Sequence, residues 1–363
     1  MDPYLLPNGT LRNRLGLTDS ASLARHEEHF VNLRMGSLLQ GDDDGTPFDF
    51  RKLLAIHRHI FQDVYEWAGE PRTIGIAKQA FEGDNIAHRF TEPGRIHGRE
   101  AEIFAGLAAR GELENLDTHA FCEAAAGVLA AINELHPFRE GNGRTQRLFM
   151  KLLARRAGHD LDLQHISRER NIEASVAASK GDLAPLAWML TEAVDPVLSR
   201  PVRNGIAFLE ASRFDWHSRT VLSTEPGRSY AGTLAGRNSD GLEFMMHDGS
   251  RIIFGWCVDL HCDARRGDTI RFTAIGRGAR NARRVIAFDC LADGGSDHPW
   301  ADGAVRRAVE RLRADPKRRG LIARDLATDL ASAQDHDPRL DSPRTASSRK
   351  SDRPSLQGRG RAL

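Results

Sequence analysis

The sequence from His136 to Arg147 reads His-Pro-Phe-Arg-Glu-Gly-Asn-Gly-Arg-Thr-Gln-Arg and joins two predicted helices. The first helix has apolar residues at helical spacing and ends at Leu135, because a residue that precedes a proline favours an extended backbone. Gly141 and Gly143 allow the backbone to approach a ligand closely. The second helix begins near Gly143. The sequence therefore predicts a helix–loop–helix unit with a glycine-containing turn.

The charged residues of this unit predict a site for phosphates. A loop that leads into a helix N-terminus binds anions, because the first N–H groups of the helix are unpaired and its dipole is positive there. Arg144 and Arg147 share one face near the start of the second helix, where two guanidinium groups suit a polyphosphate. Glu140 is an oxygen ligand of the kind that Mg²⁺ takes beside substrate phosphates. His136 suits a general base near neutral pH, so the set predicts phosphoryl or nucleotidyl transfer.

This stretch resembles the complete signature of the Fic family, H-P-F-x-[DE]-G-N-G-R-x-x-R, at every defined position. The resemblance extends upstream through Phe61–Arg72 and covers residues 1–200. It implies a mainly α Fic fold that carries a β-hairpin flap. It also implies an enzyme that transfers AMP from ATP, its co-substrate, to a Ser, Thr or Tyr hydroxyl of a target protein.

The resemblance also implies roles for single residues of the motif. His136 is the catalytic residue that takes the proton from the attacking hydroxyl, and Glu140 holds Mg²⁺ at the α- and β-phosphates. Phe138 is a structural anchor, whereas Arg139 and Gln146 occupy variable positions and receive no role. The implied nucleotide-binding residues are Gly141, Asn142 and Gly143, which line the anion hole, and Arg144 and Arg147, which grip the β- and γ-phosphates.

The flap is expected at Thr73–Glu82. Ile74 and Ile76 alternate with smaller residues in the manner of a strand, and Lys78 is expected near the tip or the return strand as a further nucleotide-binding residue. In this family the flap pairs with an extended segment of the target. The backbone of the hairpin would then align the target hydroxyl by β-augmentation.

Short β-type runs follow residue 200 and predict a small, OB-like β-barrel. The predicted strands are Tyr230–Leu234, Leu242–His247, Arg251–Trp256, Thr269–Ile275 and Arg283–Phe288. The predicted division of the chain is a Fic adenylyltransferase domain at 1–200, a linker at 201–227, the barrel at 228–294, and a basic, largely flexible tail at 295–363 with short helices at Ala304–Ala314 and Leu321–Ala331.

Composition places the chain among ordinary soluble proteins. Of its 363 residues 40% are hydrophobic and 28% are charged, and the net charge is +1. The sequence has no apolar run of about 18 residues, which predicts no membrane span, and no Sec-type signal at its N-terminus. Four irregularly spaced cysteines predict neither a disulfide scaffold nor a zinc site. We expect a cytoplasmic protein, or one translocated into a recipient or host cell.

Regulation is predicted from a missing pattern. Fic enzymes are commonly inhibited by a helix with the pattern S/T-x-x-x-E-G/N, whose glutamate pairs with the second arginine of the motif. Here Glu precedes Gly or Asn only at Glu82, Glu114 and Glu140, and none of these has Ser or Thr four residues earlier. The resemblance therefore implies a separate antitoxin that supplies a glutamate to Arg147 in trans. It also implies a toxin or an effector that uses type IV secretion machinery, since several effectors of this family that use it carry positively charged C-terminal tails.

Two alternative functions stay open. Some Fic relatives transfer phosphate, phosphocholine or UMP, although the sequence Gly141-Asn142-Gly143 argues against the phosphate-transferring branch. The second alternative is a conjugation or plasmid accessory protein whose barrel and tail bind nucleic acid. The aromatic residues of the predicted barrel are expected to fill its core rather than to stack on bases: Tyr230, Phe244, Phe254, Trp256 and Phe272.

Overall fold

The structure is a computed structural model that describes residues 2–78, 88–238, 242–260 and 264–275. Several predicted features lie outside these ranges: residues 79–82 of the flap, the strand Arg283–Phe288, the helices Ala304–Ala314 and Leu321–Ala331, and the basic tail.

Helices make up most of the chain before Thr220, as predicted for a Fic fold. Short polar side chains cap several of them: Asp49 accepts a hydrogen bond from the Lys52 N–H, and Asp117 accepts one from the Ala120 N–H. Among the described residues, no helix has both the length and the apolar character that a membrane span needs. The helices are α1 (Ser20–Gln40), α2 (Phe50–Phe61), α3 (Ile96–Ala109), α4 (Thr118–Leu135), α5 (Asn142–Arg156), α6 (Arg168–Ser179), α7 (Ala184–Val194) and α8 (Arg200–Ala211).

Helices α4 and α5 form the centre of the helical region. Residues of α4 at helical spacing, such as Phe121 and Ile132, are fully buried, and α5 buries Phe149 and Leu153. Helix α7 packs along α4, and α2 packs against α5. A single apolar core that extends from Tyr4 to Ala193 in sequence therefore holds both ends of the loop between α4 and α5.

A small antiparallel hairpin lies where the flap was predicted. Strand β1 (Ala77–Lys78) pairs with β2 (His88–Arg89), with Lys78 opposite His88. The described return strand, His88–Arg89, lies beyond the predicted end of the flap at Glu82.

The C-terminal strands form an open sheet. The sheet contains β3 (Thr220–Ser223), β4 (Ser229–Arg237), β5 (Glu243–His247), β6 (Arg251–Trp256) and β7 (Thr269–Thr273) in the order β3-β6-β5-β4-β7. Four of these strands match predicted ones, whereas β3 was not expected and pairs in parallel with β6. The OB-like barrel is not supported, because β3 and β7 stand at opposite edges of the described sheet and do not pair.

Residues 201–227, predicted as a linker, contain regular structure. Helix α8 places Val202, Ile206 and Leu209 at helical spacing, and these residues are buried against the sheet residues Val221 and Phe254. The apolar spacing of α8 explains why this interval folds, since an amphipathic helix buries its apolar stripe against a neighbour. The division of the chain into domains stays a prediction.

Candidate active site

The motif loop, residues 136–142, begins with an uncommon backbone conformation. His136 ends α4 in the left-handed region, with φ of 43° and ψ of 59°, which few residues with a Cβ adopt. Its N–H donates to the Ile132 carbonyl at 3.1 Å, and its own carbonyl accepts from Arg72 Nε at 2.8 Å. The extended backbone predicted at His136 is therefore wrong, because these two hydrogen bonds offset the preference imposed by the following proline.

The side chain of Asn142 forms hydrogen bonds within the motif loop. Its Oδ1 accepts from the Phe138 N–H at 3.0 Å, and its Nδ2 donates to the Phe138 carbonyl at 2.7 Å. The Asn142 side chain is buried and both of its amide groups are occupied, so it stabilises the shape of the loop. Phe138 is buried and stacks on His57 with ring centroids 3.7 Å apart, which fits the predicted anchoring role.

The two glycines of the loop meet different surroundings. Gly141 has a φ of 86°, and a Cβ at this position would lie 2.3 Å from the ring of Phe61. Gly143 lies in the first turn of α5, where an added Cβ would have no atom within 4 Å. Gly141 is therefore needed for the turn itself, whereas the space beside Gly143 is open. The first N–H groups of α5 have no partners within the helix, as an anion site requires.

His136 presents one unpaired nitrogen. Its Nδ1 lies 3.2 Å from the Asn133 carbonyl oxygen. Because a carbonyl can only accept, Nδ1 carries the proton and Nε2 is the lone-pair nitrogen. Nε2 is buried, and no described residue makes a hydrogen bond with it. The side chain therefore offers a proton acceptor that nothing in the described chain occupies.

Phe90 covers the imidazole of His136. The two rings are stacked with centroids 3.7 Å apart and an angle of 14° between their planes. Burial, together with the positive charges of Lys78 and Arg72, lowers the pKa of His136 to about 3. His136 is therefore neutral at physiological pH, as a general base must be before the reaction.

Arg72 connects the motif loop with both ends of the hairpin. Only 2% of the residue is exposed. Its guanidinium donates to three backbone carbonyls, those of His136, Ile74 and Thr91, and its backbone N–H donates to the Pro137 carbonyl at 2.7 Å. Desolvation lowers the pKa of Arg72, but the three carbonyl dipoles stabilise its buried charge.

Glu140 has the features of a ligand for a divalent cation. Its carboxylate is partly exposed, and Oε1 accepts from the Gly141 N–H at 3.0 Å and lies 3.6 Å from Arg144 Nη2. No hydrogen bond from the described residues reaches Oε2. One available carboxylate oxygen beside an anion site fits Mg²⁺, which keeps several waters and completes its shell with substrate phosphates. No cluster of three or more acidic, His or Cys residues within the described ranges could form a protein-only metal site.

Arg144 is already paired in the structure. Its Nη2 donates to Oε1 of Glu27 on α1, and its guanidinium lies 4.8 Å from the centroid of the Phe61 ring. Oε2 of the same Glu27 accepts a hydrogen bond of 2.6 Å from the Tyr65 hydroxyl. Glu27 is buried, so α1 holds Arg144 in a defined position at the start of α5.

Arg147 has no such partner. It is exposed on α5, and no acidic residue in the described part of the chain lies within ion-pair distance of it. Desolvation by the surrounding protein and the positive charge of Arg144 both lower the pKa of Arg147. Arg147 is therefore the motif arginine that is open to a phosphate or to an external carboxylate.

Lys78 lies on the exposed hairpin strand β1. Its charge acts on His136, so the hairpin brings it into the neighbourhood of the motif. A nucleotide-binding role for Lys78 stays a prediction.

Sequence reasoning missed four residues that shape the site. They are Glu27, His57, Arg72 and Phe90, and each acts through a contact with a distant part of the chain. His57, for example, is buried between Phe61 and Phe138, and its Nε2 donates to the Glu140 carbonyl at 3.0 Å. Arg72 stands at the end of the segment that resembles the Fic family, but its sequence neighbours do not indicate its three carbonyl partners.

The chain resembles known proteins over the region that carries this site. Residues 47–154 match the Fic/DOC family. The chain is 42% identical over 189 residues to the probable protein adenylyltransferase y4lH of Sinorhizobium fredii, an alignment that covers 51% of this chain and 92% of that protein. It is 37% identical over 182 residues to protein adenylyltransferase VbhT of Bartonella schoenbuchensis, covering 50% of this chain but 36% of that protein.

A solved structure resembles a larger part of the chain. The type IV secretion system effector protein BepA matches with a TM-score of 0.66 and 29% identity. The match covers 75% of this chain and 95% of the BepA chain. The similarity in fold therefore extends beyond the residues that match the family.

Proposed function

Because the chain belongs to the Fic/DOC family, we propose that it is a protein adenylyltransferase that moves AMP from ATP to a hydroxyl side chain of a target protein. The arrangement of His136 carries the proposal. A neutral imidazole with an unpaired Nε2 ends α4, and the motif loop leads from it to the N-terminus of α5. A proton acceptor close to an anion site is what transfer of a phosphate-bound group to a hydroxyl requires.

The chemistry assigned to His136 is proton transfer at Nε2. The target hydroxyl oxygen attacks the α-phosphorus of ATP, and Nε2 accepts the hydroxyl proton. The new O–P bond forms while the bond from the α-phosphorus to the bridging oxygen breaks, so pyrophosphate leaves and AMP stays on the target. The pKa of about 3 belongs to the free protein, and the negative charge of bound phosphates raises it toward the range in which a base works best.

The nucleotide is assigned to the start of α5. The backbone N–H groups of Asn142 and Gly143 receive phosphate oxygens, and Arg147 grips the end of the triphosphate. Arg144, oriented by Glu27, adds charge at the β-phosphate. Glu140 would hold Mg²⁺, which neutralises charge on the phosphates when it is bound.

The target is assigned to the hairpin. The residues of β1 are exposed, and β1 and β2 pair only with each other among the described strands. An exposed hairpin edge offers backbone groups to an extended peptide. Because Arg72 fixes both ends of the hairpin to the carbonyl of His136, a peptide on this edge lies beside the base.

The biological setting we propose is that of a bacterial toxin or a translocated effector. The relative BepA is named as a type IV secretion system effector, and the unpaired Arg147 is open to the carboxylate of an antitoxin. A buried, charge-assisted pair between that carboxylate and Arg147 would exclude the γ-phosphate and hold the enzyme inactive.

The test is transfer of label from ATP to protein in a bacterial lysate. Label at the α-phosphate should appear on target protein, label at the γ-phosphate should not, and His136→Ala should abolish transfer with ATP affinity retained. Transfer of γ-label would assign phosphate transfer instead, and UTP or CDP-choline as the better donor would assign another Fic chemistry. Full activity of His136→Ala would remove His136 from the mechanism.

Nucleic-acid binding by the C-terminal sheet gains no support. The residues that would stack on bases are buried, as the sequence predicted: Tyr230, Phe244, Phe254, Trp256 and Phe272. A single-strand binding surface needs exposed aromatic faces, so these side chains are part of the core instead.

A further inference from the structure

The ring that covers His136 comes from the segment that leaves the hairpin. Phe90 directly follows β2, is 9% exposed, and stacks nearly parallel on the imidazole. On its other side His88 meets it edge to face, with centroids 5.0 Å apart. His88 in turn lies 2.8 Å from a carboxylate oxygen of Glu134 on α4. The Phe90 ring is therefore held between the motif histidine and a side chain that is itself anchored.

The backbone around Phe90 is fixed to the same elements as His136. The Phe90 N–H donates to the Ile76 carbonyl, and both the N–H and the hydroxyl of Thr91 donate to the Glu134 carbonyl at 3.1 Å. The Thr91 carbonyl accepts from Arg72, and the same guanidinium donates to the carbonyl of His136. One buried arginine therefore sets the backbone position of both stacked residues.

The imidazole itself has few other restraints. Its only hydrogen bond to the described residues is the one from Nδ1 to the Asn133 carbonyl, at 3.2 Å, and the terminal torsion of a histidine is broad. We propose that Phe90 is a positioning residue for His136: its ring fixes the plane of the imidazole and keeps water from Nε2, so that Nε2 meets the target hydroxyl. The inference rests on the proposed function, in which His136 is the base.

Within the described ranges, the charged groups that act on the imidazole lie on the hairpin, just before it, or on α4. Lys78 on β1, His88 on β2 and Arg72 before the hairpin each disfavour protonation of His136, whereas Glu134 pairs with His88. Loss of the Phe90 ring leaves these groups in place but admits water to the imidazole. Protonation of His136 then becomes easier because the desolvation that opposes it is reduced.

The kinetic test compares Phe90→Leu, Phe90→Tyr and, as a matched core control, Phe104→Leu. Phe104 is also buried but packs against Phe50 and Phe149, away from the motif loop. We expect Phe90→Leu to lower kcat about 10- to 100-fold with the Kd for ATP unchanged, since a misplacement of about 1 Å can cost roughly 100-fold. Phe90→Tyr keeps the stacking face and should restore kcat, and Phe104→Leu should lower the melting temperature without changing kcat.

A second test reads His136 directly by NMR and does not depend on activity. In the unmodified protein the imidazole should show ring-current shifts from Phe90 and stay neutral down to pH 5. In Phe90→Leu the shifts from this ring should vanish and the imidazole should titrate at a higher pH than in the unmodified protein, whereas Phe90→Tyr and Phe104→Leu should keep the original behaviour. Unchanged His136 signals or an unchanged kcat in Phe90→Leu would overturn the inference. Absence of AMP transfer by the unmodified protein would instead reject the proposed function, and the NMR result would still decide the role of Phe90.

Discussion

Arg144 and Arg147 carry the same charge on the same face of α5, yet their surroundings differ. Arg144 is paired with the buried Glu27 and lies over the Phe61 ring, whereas Arg147 is exposed and has no acidic partner among the described residues. A paired arginine contributes to stability as well as to binding. An unpaired arginine at an anion site is available mainly to a ligand.

We therefore expect different outcomes when each arginine is removed. Arg144→Ala should lower the free energy of unfolding by about 1–3 kcal/mol, because it leaves the Glu27 carboxylate buried without its charged partner. Arg147→Ala should leave stability unchanged and weaken ATP binding far more than AMP binding. Calorimetry with both nucleotides and thermal unfolding measure these effects. Equal losses of ATP and AMP affinity in Arg147→Ala would contradict its assignment to the terminal phosphates.

The two loop glycines allow a second matched comparison. Gly141→Ala should be strongly destabilising, because the added Cβ would lie 2.3 Å from Phe61 and the φ of 86° disfavours any side chain. Gly143→Ala should keep or slightly raise stability, since the position is open and alanine favours helix. The same methyl group should weaken ATP binding if phosphates approach this backbone. Normal ATP affinity in a stable Gly143→Ala protein would place the nucleotide elsewhere.

At the residue scale, sequence reasoning reaches the chemistry that is local. The motif residues are close in sequence, so their types and spacing predict a base, a metal ligand and an anion site, and these roles stay predictions. The partners that orient them are remote: Arg72 is 64 residues from His136, and Glu27 is 117 residues from Arg144. No periodicity or turn signal encodes such pairs, because they depend on how the helices pack.

Among the structural elements, α2 and the end of α4 each bury a neutral histidine next to the motif loop. His57 donates to the Glu140 carbonyl and accepts from the Gly69 N–H at 2.8 Å, and His136 is covered by Phe90. Burial lowers the pKa of each to about 3. The loop therefore contacts two imidazoles that are uncharged in the free protein at neutral pH.

This arrangement predicts how stability depends on pH. In the unfolded chain a histidine binds its proton below about pH 6.5, whereas both folded-state values are about 3. Between these limits the unfolded state binds more protons than the folded state. The free energy of unfolding is therefore highest above about pH 6.5 and decreases as the pH falls. Each histidine contributes up to about 1.4 kcal/mol per pH unit in that window.

Urea unfolding between pH 7.5 and 5 measures this dependence. His136→Ala should make the loss of stability shallower, and His119→Ala, on the exposed face of α4, should leave it unchanged. A free energy of unfolding that is constant from pH 7.5 to 5 would show that neither imidazole is buried in solution as it is in the structure.

The elements beyond residue 200 show where pattern reading fails. Four strands were found because each alternates in β fashion between turn residues. Strand β3 was missed because Thr220–Ser223 is only four residues long and lies in the interval predicted as a linker. It pairs in parallel with β6, although β4 and β5 lie between the two strands in the chain, and no short-range signal specifies that pairing.

At the scale of the whole molecule, apolar burial divides into separate clusters. One cluster extends from Tyr4 to Ala193 in sequence, and the others lie between Val202 and Ala274. Polar contacts link the two regions. Glu192 is fully buried and accepts from Arg170 within the helical region and from the Ser223 N–H and hydroxyl of β3.

A fragment that ends at Ser199 should therefore fold and transfer AMP at a rate close to that of the full chain. It keeps the whole first cluster and the motif, but Glu192 loses Ser223. Its melting temperature should fall by about 2–4 °C for each kcal/mol lost, as for domains of this size. Scanning calorimetry and the labelled-ATP assay measure both quantities.

The full-length variant Ser223→Ala is the control for this experiment, because it removes one hydroxyl from Glu192 without shortening the chain. It should shift the melting temperature in the same direction by a smaller amount. A fragment that aggregates without a cooperative transition would mean that the two regions fold as one unit.

The hydrogen bonds of Glu192 that link the helical region to β3 have an evolutionary consequence. Among the described residues this boundary separates two sets of apolar clusters and is bridged by hydrogen bonds, and few substitutions are enough to create or remove such bonds. The alignment with y4lH covers 92% of that protein but only 51% of this chain, so a relative exists with little beyond the shared half. Gene fusion can therefore add a new C-terminal region to the catalytic half. The buried carboxylate of Glu192 would then accept hydrogen bonds from the added region, and the motif residues would keep their positions.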